Sequence, residues 1–464
     1  MPTRKIICLE FNELCPGLLS RWMSEGQLPN FRKFFEQSQI LTAVADEPGP
    51  ENLEPWIQWY SFHTGLPYRE HGVQNLTDGP IAPHDDIWKV LKQHGLRVAC
   101  CGSMNAKAVS GAGNLFVPDP WCTNQSAFPE QWNSYHRLVA GLVQDSTLPQ
   151  GRSVGRRDYA RFMSFVASHG LRPATIWRLL KQIGSDTLLK RPTSWRRAAL
   201  LDKVQFDVFK WYWRRERPDF ASFFLNSTAH YQHAYWHCTF PEEFTSRPSQ
   251  DEVDRFGAAI LYGYQQMDEL LNRFFRLERD GALLILCTAL SQESVGRTDR
   301  VFYRLKEVPR LLAALGLEAR EILPVMSEQF NVRFASVAEA ERAQAAMQDL
   351  RANGSNVLFF RSTEPDSLLL GAAARYATDE QTPITGLPAG RAALRFGDLF
   401  YRLPTTKATT HNPESLIWVK TGSHAVHKQK VSLLDWYPTM LDFYGIPSQR
   451  THGRSLLPTL GALA

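Results

Sequence analysis

Short apolar runs rich in β-branched and aromatic residues recur along the 464-residue chain, each near a segment with helical character. The runs are Lys5–Phe11, Leu96–Cys101, Phe220–Thr228, Ala282–Leu286 and Leu416–Val419. Pro16–Gln37, Asp86–Gly95, Leu200–Glu216 and Asp251–Phe275 read as helices between them. This alternation predicts an α/β fold, with a doubly wound, mostly parallel sheet flanked by helices.

Composition narrows the class further. The hydrophobic share of 44% and charged share of 21% are those of an ordinary globular chain with a large core. A formal charge of +5 is small for this length, but the Lys and Arg concentrate in Arg152–Arg215. That stretch reads either as solvated surface or as a contact for an anionic substrate or membrane surface. Nothing resembles a nucleic-acid module. The N-terminus passes from Met-Pro-Thr-Arg-Lys directly into Ile6–Leu9, a first strand rather than a signal peptide. No run of eighteen apolar residues predicts a transmembrane helix. Seven irregularly spaced cysteines point to reduced thiols and a cytoplasmic location.

Several stretches carry candidate chemistry. Glu51, Glu54 and Gln58 share one face at the start of a helix, so they point together into a cleft or into solvent. Trp56, Trp59 and Phe62 form a neighbouring stripe, core by default. Asn12 follows the first strand and either caps the next helix or offers an amide oxygen to a hard cation. Glu10 lies two residues upstream on the same strand face. His233 sits beside Tyr231 and Trp236.

Four blocks of sequence resemble the alkaline-phosphatase superfamily, in its branch of type I phosphodiesterases and nucleotide pyrophosphatases. Ser61-Phe62, Thr64-Gly65, Pro67 and His71-Gly72 fit the frame of that family's nucleophile helix. Leu28–Phe31 is a phrase common in it. Leu433–Pro447, followed by Gly453–Leu456, matches its terminal helix, Asp-x-x-Pro-Thr-x-Leu and then Gly-Ile-Pro. The resemblance covers roughly 5–101, 200–296 and 409–460. It implies a core in three parts (1–103, 201–296 and 409–464), a helical insertion over 104–200, and a small α+β cap over 297–408.

The resemblance also implies where chemistry belongs, and there the chain departs from the family. The place of the attacking hydroxyl falls on Pro55, with Glu54 just before it. The metal-binding Asp of the first strand becomes Asn12. The Asp-x-x-x-His pair keeps His233 but has Ala229. The Ser-Asp-His-Gly turn reads Thr288-Ala289-Leu290-Ser291, with Gln292 and Glu293 following. His411 holds the place of the last metal-binding His.

The expected function is therefore a divergent hydrolase or transferase of phosphate or sulfate esters, sugar-linked ones included, without the standard two-metal site. Its catalytic residues are Glu54, His233, His411 and Asn12, and its substrate-binding residues Glu10, Glu51, Gln58, Trp56 and Gln292. It holds at most one divalent ion (Zn, Mn or Mg), on His233 and His411, or none. Its partner is a small anionic ester or glycan-linked substrate. The alternative is a non-catalytic pseudoenzyme that binds an anionic ligand or a protein partner.

Overall fold

A computed structural model describes residues 5–461, except 48, 50–52, 123, 146–154, 189–192, 246, 297–300, 325–328, 391–392, 403–407 and 449–451. Five parallel strands form the heart of a nine-stranded sheet. They are β1 (Lys5–Phe11), β3 (Val98–Cys101), β4 (Leu115–Val117), β5 (Phe220–Leu225) and β6 (Ala282–Cys287), in the order β6-β1-β5-β3-β4. Beyond β6 lies β9 (Glu414–Val419), antiparallel to both β6 and β2 (Gln39–Val44). Two short strands, Ala425–Val426 and Val431–Ser432, complete the β2 edge.

The reason for this sheet is visible in burial. Every residue of β3, β5 and β6 is buried, as befits strands covered on both faces. One apolar cluster joins Ile7, Leu9 and Phe11 to the helices Arg197–Glu216 and Ala259–Arg279. A second joins Ile6 and Cys8, on the other face, to α3 (Pro55–Thr64) and the terminal helix Trp436–Phe443. Alternation along β1 thus feeds both layers. The fold is α/β and doubly wound.

Some elements differ from the sequence expectations. Pro16–Gln37 is two helices, α1 (Pro16–Ser24) and α2 (Pro29–Phe35), because Pro29 cannot continue a preceding turn but suits a first one. Strand β2 follows at once, where no strand was expected. The stretch 104–200 holds the expected helices, among them Arg156–Ser168 and Pro173–Leu188, but also contributes edge strand β4. Residues 301–402 carry their own apolar cluster around a four-stranded antiparallel sheet and the helices Val308–Leu315 and Val337–Gln348. No described helix is long and apolar enough to cross a membrane, and the seven cysteines are free.

Candidate functional site at the carboxyl ends of the strands

In open α/β sheets, ligands bind beyond the carboxyl ends of the strands, where neighbouring connections diverge to opposite faces. Here that place is the end of β1, flanked by the ends of β5 and β6. β1 runs out into Asn12 and Glu13. β5 runs into the helix Ser227–Thr239, which carries His233. β6 runs through Thr288–Leu290 into β7 (Ser291–Ser294), which pairs antiparallel with β8 (Thr409–Asn412). In that ladder His411 stands opposite Gln292.

The centre of the site is Glu13, which the sequence reading missed. Its carboxylate is buried, with Oε2 3.0 Å from His233 Nε2 and 3.5 Å from His411 Nε2. Asn12 Nδ2 donates to Oε1 at 2.8 Å, and Gln292 Nε2 donates to Oε2. Burial alone would raise the carboxyl pKa. The two imidazoles outweigh it and hold the group far below the usual carboxylate range.

Glu13 reaches this position because its backbone is left-handed, φ 59°. A Gly would adopt such a φ without penalty. For Glu the conformation costs about 1–2 kcal/mol. Gln232 Nε2 offsets part of it by donating to the Glu13 carbonyl at 2.8 Å, and Tyr264 Oη in turn donates to Gln232 Oε1. A lone acidic residue after the first strand was the only signal of Glu13 in the sequence.

The expected residues fall into three groups. Asn12, His233, His411, Glu54 and Gln292 assemble around Glu13. Glu54, at the N-cap of α3, places Oε2 3.8 Å from His411 Nδ1. Asn12 uses its amide fully, since Nδ2 also donates to Asn226 and Oδ1 accepts from Trp59 Nε1. It does not cap the next helix through its side chain, since the N-cap there is Cys15.

Glu10, Gln58 and Trp56 stand apart, contrary to expectation. Glu10 is on the face foreseen but one turn of α3 deeper, where His63 Nε2 lies 3.0 Å away and Ser103 Oγ donates at 2.6 Å. Gln58 is fully buried and clasps the backbone of Asp46 at 2.8 and 2.9 Å. Trp56 packs in the core and donates Nε1 to the Gln74 carbonyl. Glu51 lies outside the described residues.

The departures from the family also have a physical form. Ala289 is part of the core beneath α3. Leu290 is buried against Ala45 and Leu53 in a small apolar cluster of its own. Thr288 Oγ1 accepts from the Leu416 amide at 3.0 Å and stitches β6 to β9. Pro55 offers no hydroxyl at the head of α3. Ser61 is pinned inside the core by His71. The Val73 amide donates to His71 Nδ1 at 3.0 Å, so Nε2–H faces Ser61 Oγ at 2.9 Å. Burial pushes the His71 pKa down to about 3, keeping the ring neutral.

The donor atoms of Glu13, His233 and His411 all lie within 4.8 Å of one another. Ligand atoms around a tetrahedral ion with bonds of about 2.1 Å sit roughly 3.4 Å apart, close to the 3.0 and 3.5 Å separations here. Thr409 Oγ1 is 3.1 Å from His233 Nδ1. It accepts from Nδ1–H in the tautomer that leaves the Nε2 lone pair facing Glu13. Gln292 Oε1 is buried with no partner among the described residues. One carboxylate and two imidazoles form a donor set suited to a single divalent ion such as zinc or manganese.

Comparison with solved structures finds similar chains. Phosphonoacetate hydrolase from Sinorhizobium meliloti 1021, in complex with phosphonoacetate, is 13% identical (TM-score 0.42; 94% of this chain and 95% of that chain covered). Murine ectonucleotide pyrophosphatase/phosphodiesterase 5 is 10% identical (TM-score 0.44; 99% and 100%). The human form is 11% identical (TM-score 0.43; 99% and 99%). This chain resembles these hydrolases. No family model matches the sequence, and no curated protein matches it.

Proposed function

We propose that the chain is a divergent member of the alkaline-phosphatase superfamily that acts on a phosphate or sulfate ester at a single-metal centre. The observation that carries this reading is the buried carboxylate of Glu13, with two imidazoles converging on one of its oxygens at the end of the central strand. Glu13, His233 and His411 would hold the ion, which supplies a Lewis acid for the ester oxygen when bound.

The rest is the work of the chain's own groups. Glu54 stands one residue before the place of the attacking hydroxyl, at the N-cap of α3. Its carboxylate takes a proton from a water as that water attacks the phosphorus or sulfur, and the ester oxygen leaves with a proton from solvent. His411 lies between Glu54 and Glu13, with Nδ1 3.8 Å from the Glu54 carboxylate. Asn12 and Gln292 are positioning residues, because both act through Glu13.

A second reading, a non-catalytic binder of an anionic ligand, is favoured by the apolar filling at Ala289 and Leu290. One experiment separates the two. Purified protein is assayed for bound metal and for turnover of nitrophenyl esters of phosphate, phosphodiester and sulfate. The assay is repeated on Glu54→Gln and His233→Ala. The catalytic reading expects turnover that Glu54→Gln lowers with metal content kept, and that His233→Ala lowers with metal content lost. Turnover that survives both changes sinks the site assignment, and no turnover on any ester leaves the binder.

A further inference from the structure

The helix Pro173–Leu188 leaves an apolar stripe uncovered. Its polar side chains face the protein: Thr175 Oγ1 donates to Asp207 at 2.6 Å, Arg178 Nη1 to Glu269 at 2.7 Å, and Gln182 Nε2 to the Thr193 carbonyl at 3.0 Å. Ile176 and Leu179 pack against the main apolar cluster, but the other large apolar side chains face out. Trp177, Leu180, Ile183 and Leu188 are 68%, 59%, 55% and 84% exposed. At 100° per residue, Trp177 and Leu188 point within about 20° of one another, with Leu180 roughly 60° away. An amphipathic helix on a lone globule buries such a stripe. The preceding helix, Arg156–Ser168, likewise exposes Tyr159 and Met163.

The charge around this stripe selects what it meets. Residues 152–217 carry sixteen Lys and Arg against five Asp and Glu, while the rest of the chain carries 36 against 42. The acids of this segment are largely engaged within the fold, Asp186 with Arg197 and Asp207 with Thr175 and Arg273. Lys181, on the outer face between Trp177 and Leu188, makes no ion pair among the described residues. Neither do the exposed Arg156, Arg157 and Arg161. Trp and Leu on one face with a Lys that makes no ion pair among the described residues beside them is the pattern of a helix lying in a membrane interface. Sixteen residues span about 24 Å, enough to lie along a surface.

We propose that the face formed by the helix Pro173–Leu188 docks in-plane on an anionic lipid surface. Trp177, Leu180 and Leu188 enter the headgroup–acyl boundary, and the flanking basic groups meet lipid phosphates. The surface is distinct from the Glu13 site, and the inference does not depend on ester chemistry. It deepens the basic character of Arg152–Arg215 into a definite partner.

The test is co-sedimentation of the full chain with vesicles of phosphatidylcholine alone and of phosphatidylcholine mixed with phosphatidylglycerol. The variant carries Trp177→Ser, Leu180→Ser and Leu188→Ser, all at exposed positions where folding is not at stake. Its fold is checked by circular dichroism, and sedimentation velocity gives the oligomeric state of both proteins. The expected result is binding to the mixed vesicles only, weakened by salt, with the variant at least tenfold weaker. Failure of the parent chain to bind mixed vesicles overturns the proposal, as does equal binding by the variant. A parent dimer that the substitutions convert to monomer, without vesicle binding, assigns the face to self-association instead.

Discussion

Replacing Glu13 with Gln puts the candidate metal centre to its hardest test. The change keeps side-chain volume and reach but removes the one negative charge among the three donors. A carboxylate about 2.1 Å from a dication gains roughly 16 kcal/mol of Coulomb energy at an effective dielectric of about 20. Much of that is cancelled by dehydration of ion and ligand. In this site the carboxylate's share is already met, because Asn12 and Gln292 donate to it. A net loss of at least ~3 kcal/mol is expected, about a hundredfold in affinity.

Calorimetric titration of metal-stripped protein with zinc and with manganese reads this directly. The parent chain should bind one ion and Glu13→Gln should bind it at least a hundredfold more weakly. Thermal stabilisation by metal should vanish in parallel. Glu10→Gln is the control. It makes the same chemical change three residues upstream, at a carboxylate engaged with His63 and Ser103. It should leave metal affinity within about threefold, under ~1 kcal/mol. A Glu13→Gln protein that binds as tightly as the parent refutes the assignment, and so does a parent that binds two ions.

Three further outcomes follow from other parts of the fold. Burial pushes the Asp119 carboxyl up to about 7, with Oδ2 unpartnered among the described residues. The native state then holds a proton that the unfolded state releases near pH 4, so this group's contribution to stability falls as pH rises from about 4 to 7. Asp119→Asn should gain on the parent by up to ~4 kcal/mol over that window in urea unfolding, and parallel curves would contradict it. Gly65 ends α3 at φ 65°, where a Cβ would lie 2.9 Å from the Tyr437 ring. Gly65→Ala should cost more than the ~1–2 kcal/mol of backbone strain alone, measured as a fall in urea midpoint. Leu290→Ala should cost ~2–4 kcal/mol by opening the cluster with Ala45 and Leu53, yet should not create metal affinity.

The layers of the fold were legible in the sequence because strands covered on both faces must be apolar throughout. Lys5–Phe11, Phe220–Leu225 and Ala282–Cys287 announce themselves that way. Gln39–Val44, which opens on Gln and follows directly on the expected helix, did not, and nor did Leu115–Val117, three residues inside the expected insertion. His233 and His411 were legible because their neighbours keep the family's spacing. Glu13 was not. Strand alternation says nothing about a residue past the strand end, and only the left-handed φ turns its carboxylate inward. Glu10 shows the complementary failure: alternation gave its face, but its depth beneath α3 is a tertiary fact. Trp56 and Gln58 were read for their chemistry and are held by packing and by the Asp46 backbone.

The ladder of Ser291–Ser294 and Thr409–Asn412 has a mechanical consequence. Residues 301–402, with a hydrophobic centre of their own, are inserted between those two strands, so both ends of the insertion return through one two-stranded stem. That stem also bears Gln292 and His411. Any tilt of the insertion is a torque on two groups that touch the Glu13 carboxylate. Grafting a foreign lobe onto this stem would therefore retune the centre from a distance.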